Sequence, residues 1–468
     1  MLSLHGGSAR LRGCRPSLEG LEDRCLLSAS YLQTNLVSDI SGVARFTDPN
    51  LVNPWGLAYT PTGAFWVSDN NSGLSTLYNG QGMPQSLVVT ITSPFPGQEG
   101  SPTGTIFNGG SDFVVSQNGK SGPAGFIFVT EDGTIDGWSP QVNVKQAVQV
   151  VNNSASPTAA DGAVYKGLAM GTDPDGRTLL YVANFRAGTV DVFDDQFRPT
   201  GVGGNFTDPN IPSGYAPFDI ANIGGNLYVT YAKQDAAKHD DVAGPGNGFV
   251  DVFSTNGKLL KRLISNGPLN SPWGLTMAPS NFGKFSNDLL VGNFGDGHIN
   301  AFNPKTGAFI GALTDPLGNP IAIGGLWSLK FGNGGQAGPT NTLFFSAGIG
   351  DESHGLFGEL QAVNIVVKAA PMTARASFAA ATGQSIVTNI VQTIQNQIVS
   401  NPPPLTPKTS NAVVLSGDLQ DGSGQSLAAL DRAFANLSQG TAPTNVKGPE
   451  QSSSQTSLDH TVGDDLSS

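Results

Sequence analysis

Apolar residues in this chain come in short bursts separated by turn formers, and within the bursts apolar and polar positions alternate instead of recurring at helical spacing. Phe65-Trp66-Val67-Ser68, Phe126-Ile127-Phe128-Val129, Leu180-Tyr181-Val182-Ala183, Leu227-Tyr228-Val229-Thr230, Leu289-Leu290-Val291-Gly292 and Leu343-Phe344-Phe345-Ser346 are filled with aromatic and β-branched side chains. Such residues suit a buried pleated strand. A second kind of run follows some of them: Gly188-Thr189-Val190-Asp191-Val192-Phe193, Gly248-Phe249-Val250-Asp251-Val252-Phe253 and Gly297-His298-Ile299-Asn300-Ala301-Phe302. Period-two alternation there places Val, Ile and Phe on one face and Asp or Asn on the other.

Each burst is preceded by a related segment. The clearest pair is Asn53-Pro54-Trp55-Gly56-Leu57-Ala58 and Ser271-Pro272-Trp273-Gly274-Leu275-Thr276. With Pro102–Ile106, Tyr165–Ala169, Pro217–Ala221 and Leu326–Leu329 they form six repeats, whose markers at 56, 104, 167, 219, 274 and 328 lie 48, 63, 52, 55 and 54 residues apart. A period in the fifties is that of four-stranded propeller blades. Leu259–Ser265 supplies a fourth strand before Trp273, and Tyr31–Ser38 holds the same place before Trp55. Tyr31–Ser38 is then an outer strand with no blade of its own, predicted to pair with the last blade and close the ring. The expected fold is all-β: a six-bladed β-propeller of four-stranded antiparallel blades over 31–368, the second blade being the weakest match.

Composition agrees. The 61 Gly and 31 Pro make up about a fifth of the 468 residues, and only 13% are charged. That profile excludes helical bundles and coiled coils. A net charge of -12 lacks the basic footprint of a nucleic-acid binder. Cys14 and Cys25 are the only cysteines, so disulfides cannot brace the body. No apolar run is long enough to span a membrane. Residues 369–468 carry no Trp, Tyr or Cys and include Pro402-Pro403-Pro404 and a Ser/Gln run, which reads as a disordered tail. Within it Ile386, Ile390, Ile394 and Ile398 recur every fourth residue, predicting an amphipathic helix near 384–399.

Residues 1–30 read as a targeting segment. Leu21-Glu22-Asp23-Arg24-Cys25-Leu26-Leu27-Ser28-Ala29 resembles the LEPR-XLL motif of exported bacterial proteins, with Asp23 where that motif has Pro. The resemblance implies export, with this segment an address outside the fold. The repeats resemble those of NHL-type and gluconolactonase-type six-bladed propellers. Asn35–Asp39 and Asn53–Leu57 also resemble a family of exported bacterial propellers for which no activity follows. These resemblances imply a fold and a compartment, not a reaction.

In a meandering blade, the loop leading into the first strand and the loop joining the second to the third open on one face. That face gathers Trp55, Phe218, Trp273 and Trp327 with Asp69, Asn70, Glu131, Asp132, Asn184, Arg186, Asn293, Asp296, Asp351, Glu352 and His354, and the Ala232–Asn247 insert with His239, Asp240 and Asp241. Asp219, the one carboxylate at a marker position, joins them. Loops on a rigid ring are where function concentrates. The bland alternatives are that the aromatics pack between blades and that the Asp and Asn residues form local turns. Without HExxH or a close His/Cys pair, zinc is disfavoured. Oxygen donors suit Ca2+ or Mg2+, and gluconolactonase-type propellers hold a divalent ion with Glu, Asn and Asp. Asn184, Asp219 and Asn293 are the nearest candidates, but the first-blade Glu of that family has no counterpart at Trp55-Gly56. The expectation is an exported, monomeric binding or scaffold module taking a glycan, small molecule or protein; the alternative is a divalent-metal lactonase-like hydrolase.

Overall fold

The computed structural model describes residues 26–367 and 412–415. The helix expected near 384–399, and most of the tail, lie outside the described residues. Six antiparallel sheets follow one another along the chain, and the predicted marker segments form their first strands: Pro54–Ala58, Pro102–Phe107, Tyr165–Thr172, Tyr215–Ile223, Pro272–Met277 and Leu326–Phe331. The six-bladed propeller inferred from the repeats is the observed architecture. Apolar side chains pack between neighbouring blades, as where Trp66 of the first stacks on Phe126 of the second with ring centroids 4.1 Å apart.

Two blades depart from the expected pattern. The third has three strands, Tyr165–Thr172, Thr178–Asn184 and Thr189–Phe193. After Phe193 the chain reads Arg198-Pro199-Thr200-Gly201-Val202-Gly203-Gly204, and pairing shrinks to one bridge between Phe193 and Pro199. Proline offers no N–H and glycine no side chain to pack, so no fourth strand develops. The second blade inserts a hairpin, Val114–Gln117 with Lys120–Pro123, between its first and second strands, which explains its weak match.

Closure of the ring follows the sequence expectation. The N-terminal strand Leu26–Ser38 lies antiparallel to Leu356–Val367, pairing Tyr31 with Ala362 and Ser38 with Leu356. It begins five residues before the expected boundary, so Leu26 to Ser30 also pair in the sheet. The ladder continues there because Leu356–Val367 is equally long. In the tail, Ala412–Leu415 adds a parallel pairing to Asn364–Val367. Tyr31 ties this seam to the fifth blade. Its hydroxyl donates to the Phe282 carbonyl at 3.0 Å and accepts the Phe285 N–H at 3.3 Å, and burial pushes its phenol pKa up.

The first strands share a further device. Their pairing slips between Pro54 and Leu57, between Tyr165 and Leu168, between Pro217 and Asp219, between Pro272 and Leu275 and between Leu326 and Leu329; in the second blade the slip falls between Phe128 and Thr130 of the partner strand. Each is a β-bulge, which bends the strand and re-aims its side chains. The marker glycines sit at these bulges because neighbouring backbones meet there. A Cβ on Gly56 would lie 2.6 Å from the Thr103 carbonyl oxygen, and one on Gly274 would lie 2.5 Å from that of Trp327. Gly56→Ala is therefore expected to lower stability by about 1–3 kcal/mol, while Gly201→Ala, where a Cβ meets nothing within 4 Å, should change it by less than about 0.5 kcal/mol. Urea unfolding of the two variants checks this; equal effects would refute a close-packed inner ring.

Candidate functional site

The residues one before each marker are Trp55, Thr103, Lys166, Phe218, Trp273 and Trp327. The bulges bring the aromatic ones together as a plug across the channel. Trp55 and Trp327 stack at 3.4 Å between centroids, Trp273 stands edge-on to both at 6.0 and 5.8 Å, and Phe218 lies 5.9 Å from Trp327. Phe294 and Phe185 complete the cluster. All four nominated aromatics are buried, so they form a closed floor rather than a platform on which a ligand could stack.

Lys166 breaks the aromatic pattern. Its side chain is 2% exposed, and its ammonium pairs with Glu131 and, at 3.5 Å, with Asp240. It also lies 5.1 Å from the centre of the Trp55 ring, a cation–π contact. From this pair a hydrogen-bonded network spreads over the mouth. Asn70 donates to Glu131 at 2.9 Å. Asn53 donates to Asn70 at 3.4 Å and to Glu352 at 2.9 Å, and accepts the Trp327 indole N–H at 3.1 Å. Asn53 adopts a left-handed φ of +48°, a conformation that Asn tolerates better than most residues. His239 Nδ1 lies 2.9 Å from Asp240 Oδ1. Five of the six blades contribute to the network.

Its electrostatics are those of a crowded acidic mouth. Burial alone would lower the Lys166 pKa, but Glu131 and Asp240 outweigh it and raise the ammonium above its ordinary value. The His239 hydrogen bond draws Asp240 down to about 2, and the same bond raises His239. Burial, reinforced by the Glu131 charge, pushes Glu352 up to about 7. Asp132 and Asp241 beside them are also raised by burial.

The other nominated residues are placed elsewhere. Asp69 is fully buried and accepts the Thr76 N–H at 3.0 Å. Asn184 donates to Asp191 at 2.9 Å within the third blade. Asn293 donates to the Pro268 carbonyl at 2.8 Å and to Asp296 at 3.1 Å within the fifth. Arg186 donates to the Gly162 carbonyl at 2.9 Å. Asp219 lies deeper, at the level of the marker glycines. Sequence reasoning did not single out Lys166 or Asn53. A lysine where four repeats carry Trp or Phe was the available signal for the first.

The donor set does not fit a divalent ion. Asn184, Asn293 and Asp219 belong to separate networks. Glu131, His239 and Asp240 do bring ligand atoms within 4.8 Å of one another. Yet the Lys166 ammonium already bonds both carboxylates, supplying the positive charge that Ca2+ or Mg2+ would bring, whereas such ions need six or more oxygens.

No family model matches the chain. It is 33% identical over 331 residues to uncharacterized protein R648 of Acanthamoeba polyphaga mimivirus, covering 69% of this chain and 78% of that one. It is 32% identical over 343 residues to uncharacterized protein L690 of the same virus, covering 71% and 86%. The chain belongs to the family of these mimivirus proteins. The relatives are thus viral, where the sequence resemblance implied a bacterial family. Among solved structures it is similar to a virginiamycin B lyase from Staphylococcus aureus (TM-score 0.40, 11% identity, 71% of this chain and 99% of that one). It is similar too to the soluble aldose sugar dehydrogenase from Escherichia coli (TM-score 0.42, 12% identity, 71% and 99%). A gluconolactonase-type structure gives a TM-score of 0.41 at 13% identity, over 76% and 99%.

Removing the Lys166 ammonium leaves Glu131 buried without its partner, so Lys166→Met should lower stability by about 3–5 kcal/mol. Adding Glu131→Gln should restore part of the loss in a double-mutant cycle; strict additivity would show the pair to be uncoupled. Glu352 yields a pH signature. Its folded pKa of about 7 lies above its unfolded value, so the folded state binds more protons between roughly pH 4.3 and 7 and its stability falls as pH rises through that window. Asp136, Asp251 and Glu359 are likewise pushed up to about 7 by burial. The decisive reading is therefore the difference: Glu352→Gln should flatten the decline, and an unchanged slope would exclude Glu352 from it.

Proposed function

We propose that this protein is a binding module that captures, at its channel mouth, a molecule or protein segment bearing amino groups. The observation that carries this reading is the network itself: Glu131 and Asp240, from two blades, share one buried ammonium, and Glu352 joins from a third through the Asn53 amide. Asp132 and Asp241 add to the excess of acid, and Asp240 remains largely open to solvent, its side chain 67% exposed. A cluster with surplus acceptors and exposed carboxylates attracts a donor-rich cation and holds it by charge-assisted hydrogen bonds. The closed aromatic floor keeps water out from below and fixes the rim, so the geometry is set before the ligand arrives.

A metal-dependent lactonase would require Lys166 to vacate its place between the two carboxylates. Export belongs to the same proposal and rests on the Leu21–Ala29 segment.

Spermidine serves as a probe of the mouth. It should raise the Tm of the intact chain, the shift should shrink as salt rises, and Asp240→Asn with Glu352→Gln should abolish it. Millimolar Ca2+ or Mg2+ should leave Tm unmoved. A spermidine response that survives both substitutions, or stabilisation by the metal alone, would overturn the reading.

A further inference from the structure

Beyond the aromatic plug the channel holds a cavity of about 440 Å³, lined by first-strand residues of all six blades. Asn222, Ile223 and Gly224 also line it. They belong to the end of a first strand and the turn after it, so the cavity reaches the face opposite the mouth, and Asn222 and Gly224 are exposed there. It is a separate space from the acidic network, with Trp273 at its inner end.

Most of the lining residues are small or apolar, from Gly56, Gly104 and Ala169 to Ile106, Leu275 and Met277, while polar atoms supply the larger part of the exposed wall. Two charges interrupt it. Asp219 is the only carboxylate among the lining residues and Lys330 the only ammonium. Asp219 is 8% exposed, and among the described residues no side-chain donor reaches its carboxylate. Lys330 lies 5.1 Å from the centre of the Tyr59 ring and has no hydrogen-bond acceptor among the described residues. The two sense each other electrostatically: burial raises Asp219 and lowers Lys330, and each charge offsets the other's shift in part. Yet no ion pair joins them, because they enter from the fourth and sixth blades, with the fifth between. Trp273 adds a buried indole N–H without an acceptor among the described residues.

Buried charges in native proteins are paired or hydrogen-bonded, since an unpaired one is strongly disfavoured. Here one acid and one base face a shared space that neither spans. A molecule that carries both charges satisfies both at once and in one orientation, and an aliphatic linker can lie against Leu275 and Met277 of the blade between them.

We propose that the channel cavity is a second binding site, taking a small zwitterionic solute of the amino-acid type with its ammonium on Asp219 and its carboxylate on Lys330. Recognition is by two charge-assisted contacts at fixed separation, so a probe with one charge makes half of them. Because the cavity opens on the far face, binding there is independent of the mouth.

The experiment is calorimetric titration of the full chain with 5-aminovalerate, pentylamine and valerate, probes of matched length that differ only in their charged ends. The zwitterion should bind roughly tenfold or more tighter than either singly charged probe. Asp219→Asn and Lys330→Met should each remove that advantage while the far-ultraviolet circular dichroism stays that of the wild type. The wild-type comparison decides the matter even if one variant fails to fold. No binding of 5-aminovalerate, equal binding of the three probes, or an advantage retained in both variants would overturn the proposal.

Discussion

Six inner strands converge on one axis, and at four of their six marker positions the approach is too close for a side chain. Cβ atoms on Gly56, Gly104, Gly167 and Gly274 would run into the backbone or side chains of the next blade. This close approach sets the radius of the ring, and the ring sets everything built on it. Each inner strand bulges where it meets its neighbour, and the bulge turns the preceding side chain toward the axis. Three tryptophans and a phenylalanine thus reach one another from four blades and seal the channel. A closed sheet ring has no free edge only if its ends meet, which makes the pairing of Leu26–Ser38 with Leu356–Val367 the last requirement of the same constraint.

The exceptions to the pattern are where chemistry collects. Lys166 stands in the plug position of the third blade, and an ammonium among indole rings must find carboxylates; Glu131 and Asp240 supply them from neighbouring blades. Asp219 stands at a marker position, where the missing side chain of Gly167 in the adjacent blade leaves room for its carboxylate. In both cases the polar residue is tolerated because the ring has already fixed a partner or a space for it. The acidic mouth on one face and the two-charge cavity on the other therefore arise from a single architectural rule broken in two places. The plug between them separates the two environments.

Some of this was legible in the residues. Recurrent Trp-Gly segments, strands rich in aromatic and β-branched residues, and the orphan strand at the N-terminal end indicated six blades and the way they close. The aromatic ring at the channel was legible too, because the same residue class recurs at the same place in the repeat. Lys166 and Asn53 were not, since one lysine or asparagine in a repeat carries no sign of what faces it 35 or 299 residues away. The Asp and Asn residues after the second strands looked like a common set. Asn70 reaches across, to Glu131 of the next blade, while Asn184 bonds Asp191 and Asn293 bonds Asp296 within their own blades.

What the sequence alone determined was the periodic part: strand alternation, blade number, the closing strand and the turn-forming glycines and prolines. These depend on local spacing, which a single chain displays directly. Which polar residues meet was decided only by tertiary structure, because pairs such as Asn53 and Glu352 or Lys166 and Asp240 come from different blades. Their meeting depends on the curvature of the ring and on bulges that re-aim individual side chains, and neither is written in the order of residues within any one repeat.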